Sequence, residues 1–265
     1  MKKGLFKVLV FAFAILSLNS CFNKAGKLSE KITGKWMIVE RNGSPLLTNL
    51  SHIITFLSPT EGYASTSWIE LSDNDNSSLS KRGKTEVVIK GRKITKTLHI
   101  NSHVTVIDEM KVTSITDNEM CGVSKVKTYI DGYKVTTIQY SGRYERVTAN
   151  YEKEILGLWE GKVTSDMGSD FNDTERHRWE FLPDGNYRFY VWNNGQWQVN
   201  DEFAQYVLDA TMICCRWKNL GLTEEEHREW WVISSPEKGV LDWNAIREQP
   251  DGTTYTSTIK MRKIR

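Results

Sequence analysis

The chain of 265 residues carries one pattern twice, and this internal repeat limits its possible folds more than any other feature. Five landmarks recur in the same order. Ile32-Thr33-Gly34-Lys35-Trp36 and Ile155-Leu156-Gly157-Leu158-Trp159 both read I-x-G-x-W. Phe56-Leu57, Pro59, Gly62 and Tyr63 answer to Phe181-Leu182-Pro183-Asp184-Gly185-Asn186-Tyr187, and Ile115 to Met120 answers to Ile233 to Lys238. Asp131-Gly132 and Asp251-Gly252 follow, a pair whose tolerance of positive φ suits the tight turn of a β-hairpin. Basic strands close both copies: Arg143-Tyr144-Glu145-Arg146-Val147 and Lys260-Met261-Arg262-Lys263-Ile264. Each copy spans roughly 110 to 115 residues, room for one small domain with its own core. The repeat predicts domains at 32–148 and 153–265, and the short join around Thr148 to Glu154 leaves them little relative freedom.

Between the landmarks the hydrophobic period is two. In Tyr187-Arg188-Phe189-Tyr190-Val191-Trp192, for example, Tyr187, Phe189 and Val191 share a face. Lys84 to Lys90, Val104 to Val112, Tyr133 to Tyr140 and Trp230 to Ser234 are likewise rich in β-branched and aromatic residues and bounded by turn formers. Helical signals are scarce. Thr223-Glu224-Glu225-Glu226 fits a capping box or a loop equally well, and the polar stretch Ser72 to Lys84 reads as a surface loop outside the core. The expected fold is all-β: two tandem antiparallel up-and-down β-barrels of about eight strands each. Closing a sheet removes its exposed edges, and a barrel of that size admits one small ligand. Flattened sandwiches are the alternative.

The first residues read as an export signal, with Lys2, Lys3 and Lys7 ahead of the apolar run Val8 to Leu16. That run is short of the roughly 20 residues a spanning helix needs. Residues 1–20 are therefore expected to be cleaved. Leu18-Asn19-Ser20-Cys21 resembles the lipobox of bacterial lipoproteins, departing from it only at the tolerant position Asn19. The resemblance implies lipid attachment at Cys21, a tether over 21–31 and a membrane contact through the acyl chains, each buried methylene contributing about 0.8 kcal/mol. An ordinary signal peptide with an incidental cysteine would instead leave a soluble periplasmic protein. The basic tether Phe22-Asn23-Lys24-Ala25-Gly26-Lys27 resembles that of lipoproteins held on the periplasmic face of the outer membrane more than that of surface-exported ones, which carry acidic residues there.

Losing three lysines with the signal takes the formal charge from +2 to −1. A near-neutral chain without a basic cluster argues against nucleic acid as a partner. Once Cys21 is acylated, Cys121, Cys214 and Cys215 remain, an odd number that cannot form a full disulfide framework. Cys214 and Cys215 read as two small apolar strand residues, with a strained ring disulfide as the alternative.

Gly34 with Trp36, and Gly157 with Trp159, resemble the opening strand motif of lipocalins. In that family the tryptophan plugs one end of the barrel and an arginine near the last strand packs over it. The resemblance assigns that arginine to Arg143 or Arg146 in the first copy and to Arg262 in the second, and a guanidinium over an indole face is physically sound. It implies a lipocalin-like fold and a capacity for binding, without naming a ligand.

Catalytic motifs were sought and none recognised, so the chain is expected not to be an enzyme and to need no cofactor. His99 and His103 read as one extended stretch, which would hold their Cα atoms about 13 Å apart, too far to share one metal ion easily without a bulge. Asp166, Asp170, Asp173 and Glu175 lack the alternate-residue spacing of a calcium loop, and no metal site is expected. The tryptophans are the strongest functional signal, with two in the first copy (Trp36 and Trp68) and eight in the second. They either fill the second core or line a pocket, where indoles give large contact area with a polar handle. The candidate ligand residues are Trp179, Tyr187, Phe189, Trp217, Trp230 and Trp231. Of the neighbours Trp230 and Trp231, one is expected to face into the barrel and one out. The expected function is a non-catalytic envelope lipoprotein that binds a small hydrophobic or amphipathic ligand. The alternative is an interaction module, with side-chain-filled barrels docking an envelope protein.

Overall fold

The computed structural model describes residues 28–58, 61–65, 84–167, 175–219 and 227–264. The signal, Cys21, the tether up to Lys27, most of the polar stretch from Ser72, Asp170, Asp173 and the Thr223 to Glu226 segment lie outside these residues. Contacts divide the chain into two units: Met1–Pro45 with Ile54–Tyr63 and Lys84–Arg146, and Leu46–Ile53 with Ala64–Gly83 and Val147–Arg265.

In the first unit the strands are β1 (Gly34–Arg41), β2 (Ser44–Pro45), β3 (Ile53–Ser58), β4 (Glu61–Ser65), β5 (Lys84–Lys90), β6 (Lys93–His99), β7 (Val104–Ile115), β8 (Glu119–Ile130) and β9 (Tyr133–Val147). Sequential neighbours pair from β3 to β9, and β9 returns to pair with β1, closing an eight-stranded barrel that β2 extends at one edge. The alternation expected of strands with one buried face is present: Ile94 and Lys96 on β6, Met110 and Val112 on β7, and Tyr140 and Tyr144 on β9 are buried at alternate positions. Asp131 and Gly132 turn β8 into β9 with φ of 49° and 81°, the two positive values a two-residue hairpin turn requires. His99 and His103 are not in one extended run, because 100–103 forms the turn between β6 and β7. Each meets its own partner, Thr105 Oγ1 at 3.2 Å for His99 and Asp131 Oδ1 at 2.6 Å for His103.

The second unit contains β10 (Gly157–Ser165), β11 (His177–Phe181), β12 (Tyr187–Asn193), β13 (Gln196–Val199), β14 (Asp201–Asp209), β15 (Met212–Asn219), β16 (His227–Ser234), β17 (Val240–Glu248) and β18 (Thr254–Lys263). Their order, β13-β12-β11-β10-β18-β17-β16-β15-β14, is again an up-and-down meander, curled so that its ends approach. The closure is sparse. β13 occupies the Tyr190 to Asn193 half of the edge of β12, which leaves only the stretch up to Phe189 to meet β14. The Asn186–Gln205 bridge and the bond from Tyr206 N to Gly185 O, at 2.8 Å, join the two there.

A second irregularity lies between β16 and β17. β17 pairs with β18 from Val240 to Glu248, but with β16 only at Asp242, Trp243 and Asn244. Beyond that point the wall splits. The N–H of Ile246 donates to Thr48 Oγ1 at 2.8 Å, so the 3-10 turn Thr48–Leu50, which belongs to this unit, supplies an acceptor where the ladder does not.

Candidate ligand site in the second barrel

The two I-x-G-x-W motifs build the same local arrangement. Trp36 and Trp159 are fully buried, and each indole Nε1 donates to the carbonyl four residues earlier, Ile32 O at 2.7 Å and Ile155 O at 2.6 Å. Arg146 lies over Trp36, 4.2 Å from the ring centroid, and also donates to Thr33 O at 2.7 Å and to the carbonyls of Lys31 and Asp117. Arg143 is not that residue: it pairs with Glu40 and Glu145. Nor is Arg262 its counterpart in the second copy. Trp159 stands opposite Lys263, whose ammonium lies 5.2 Å from the ring centroid, while Arg262 stands opposite Glu160 and points outward. A one-residue offset on a strand reverses the face a side chain presents.

Inward residues of the second unit leave a cavity of about 330 Å³. β11 contributes His177 and Trp179, β12 Tyr187 and Phe189, β15 Cys215 and Trp217, β16 Glu229 and Trp231, and β17 Trp243 and Arg247, each pair taken from strand positions of equal parity. Val163 and Ile259 complete the wall. Three ring pairs in the wall are tilted. Trp179 lies 5.6 Å from Phe189, Trp231 lies 6.3 Å from Trp243, and His177 lies 5.1 Å from Phe189.

Five of the six sequence candidates, Trp179, Tyr187, Phe189, Trp217 and Trp231, meet at this cavity. Trp230 does not, because the pleat turns it to the outer side of β16, where it lines a separate recess of about 340 Å³. Sequence reasoning missed His177, Cys215, Glu229, Trp243 and Arg247. The signal was available in β17, where Leu241, Trp243, Ala245 and Arg247 share one parity, and in β16, where Glu229 shares its face with Trp231.

Two charged groups of the cavity meet on the split side, while His177 and the Tyr187 phenol line it from β11 and β12. Glu229 Oε1 accepts from Arg247 Nη2 at 2.9 Å, and its Oε2 accepts from Trp231 Nε1 at 3.1 Å. The Arg247 guanidinium lies 4.5 Å from the centroid of the same Trp231 ring. Burial pushes the Cys215 thiol well above its ordinary range, helped by the Glu229 charge, so this cavity-lining cysteine stays protonated and unreactive. Burial likewise pushes the Tyr187 phenol up. Cys121, Cys214 and Cys215 are all free thiols, so the ring disulfide is not formed. Among the described residues no cluster of three or more His, Cys, Asp or Glu has metal-binding geometry.

No family model matches the chain, and no curated protein matches it. Among solved structures, a double mutant of the vaccine antigen Transferrin Binding Protein B from Haemophilus parasuis Hp5 aligns at 10% identity and a TM-score of 0.26, over 86% of this chain and 44% of that one. A single mutant of the same antigen aligns at 8% identity and a TM-score of 0.24, over 87% of this chain and 64% of that one. The chain spans less than two thirds of either structure, and likeness at this level assigns it no family.

Proposed function

We propose that this chain is a non-catalytic lipoprotein of the cell envelope, held by acylated Cys21 at the periplasmic face of the outer membrane, whose second barrel is a lipocalin-like binding domain for a small hydrophobic or amphipathic ligand. The observation that carries the reading is the cavity of about 330 Å³ walled by Trp179, Tyr187, Phe189, Trp217, Trp231 and Trp243, with a few polar groups among them, chiefly His177, Glu229 and Arg247. Its volume is at the lower end of the range for small-molecule sites, and a mostly apolar lining with a few placed polar groups is what such sites share. The non-catalytic part of the reading is supported by the protonated Cys215, which is no activated nucleophile, and by the engagement of Glu229 with Arg247.

Intrinsic tryptophan fluorescence of residues 22–265, titrated with fatty acids, sterols, bile acids and oligosaccharides, tests the reading. A saturable change for one class, weakened by Trp217→Ala, supports it. Silence across the panel from a folded protein removes it.

The first unit favours a second reading, docking of an envelope protein. Its interior is packed with Trp36, Ile38, Phe56, Ile94, Met110 and Tyr144, and its β8–β9 hairpin exposes Ile130, Tyr133, Val135 and Ile138, with Tyr133 at 78% exposure. Tyr133→Ser with Ile138→Ser should abolish cross-linking to a native envelope partner and leave ligand-induced fluorescence unchanged; unchanged cross-linking removes this reading.

A further inference from the structure

We infer that the cavity of the second barrel and the recess outside β16 and β17 are two compartments of one site, and that its occupant is a single-chain amphipath with its tail inside the barrel and a zwitterionic head outside. This rests on the reading of the cavity as a ligand site. Three observations carry it.

The wall between the two spaces is incomplete. The β16–β17 ladder stops at Val232 and Asn244, so between 227–231 and 245–248 no backbone pairing seals the barrel. Ile246, in the middle of the split, is bonded to Thr48 instead of to β16.

The same two side chains line both spaces. Glu229 and Arg247 face the inner cavity and also the outer recess, which Leu47, Thr48, Asn49 and Trp230 complete. Their ion pair, at 2.9 Å, is therefore the partition. Both side chains are 30% exposed, and an ion pair in such a position contributes little to stability. At this point the two spaces are divided by side chains and not by a hydrogen-bonded ladder.

The chemistry differs across the partition. Inside, indole, phenyl and aliphatic surfaces predominate beside His177, and they favour an apolar tail. Outside, Arg228 and Arg247 stand with Glu229 and Glu248, two charges of each sign, beside the hydroxyl of Thr48 and the amide of Asn49. An anionic head would meet the carboxylates and a cationic head the guanidiniums, whereas a head carrying both signs can satisfy Arg247 and Glu229 together as it separates them.

The test compares two probes with the same tail, dodecylphosphocholine below its micelle-forming concentration and dodecanol, by tryptophan fluorescence of residues 22–265. The expected result is that dodecylphosphocholine binds about tenfold more tightly, the difference supplied by charge-assisted bonds to the head. Asn49→Trp, at an exposed position of the recess, should weaken dodecylphosphocholine and leave dodecanol unchanged; the Glu229→Gln, Arg247→Gln double variant should bind the two probes equally. Equal binding by the unmodified chain, or a loss of both probes in Asn49→Trp, overturns the two-compartment site while leaving the cavity as a tail-binding site. Failure of both probes to bind overturns the cavity reading as well.

Discussion

The Arg146 guanidinium covers the Trp36 ring at 4.2 Å and passes directly over Gly34, where an added Cβ would fall 2.7 Å from Arg146 Nη1. Gly34 also has a φ of 120°, a conformation that L side chains rarely adopt. The glycine and tryptophan of the motif are thus one device, the first making room for the cation that seals the second. Gly34→Ala should destabilise the chain by about 1–3 kcal/mol, read as a lower urea midpoint with an unchanged slope. A change within error would mean that Arg146 moves aside without cost.

Inside the first barrel Lys96 and Asp108 stand opposite each other on β6 and β7 and form an ion pair at 2.7 Å, with side chains 8% and 13% exposed. Removing one partner leaves a charge in a poorly solvated interior, so Asp108→Ala should cost about 3–5 kcal/mol. Lys96→Met with Asp108→Leu should cost far less than the single change, because no charge is stranded. Chemical denaturation of both variants decides the matter, and equal losses would show that the pair is not desolvated.

Glu109 bridges Lys93 and Lys127 at 2.7 and 2.6 Å, and these two bonds hold its carboxyl at about 2, against an ordinary 4.5. A lowered folded-state value means that the ionised carboxylate stabilises the fold above about 4.5, and that this contribution drains away as the pH falls toward about 2. The stability gap between the unmodified chain and Glu109→Gln should be constant at neutral pH, narrow across that window and vanish at its lower end. A gap that persists at the acid end would assign the effect of the substitution to packing.

Cys214 and Cys215 are buried, and burial pushes both thiols up, whereas Cys121 is partly exposed beside Glu119. Residues 22–265 should therefore titrate only Cys121 with a thiol reagent until denaturant is added. Rapid reaction of a second thiol in the native state would place an opening of the wall at β15.

Much of the fold is legible because strand periodicity and turn chemistry are local. Lys84 to Lys90 is β5, Tyr187 to Trp192 nearly coincides with β12, and Asp131-Gly132 makes the expected turn. The capping cation of the second copy was misplaced by one residue, because which of Arg262 and Lys263 faces Trp159 depends on the register of β18 against β10. His99 and His103 were misplaced for a similar reason, since a four-residue turn between strands has no apolar period to mark it.

By itself the sequence determined the duplicated all-β architecture and the aromatic character of the second barrel, since each follows from composition and parity within a few neighbouring residues. Only the tertiary structure decided that Trp231 faces the cavity and Trp230 the recess, that the first barrel closes while the second meets at a sparse seam, and that Glu229 and Arg247 stand in a split wall. The physical reason is that parity gives two faces without saying which is inside, and a gap between strands depends on pairing between residues distant in sequence.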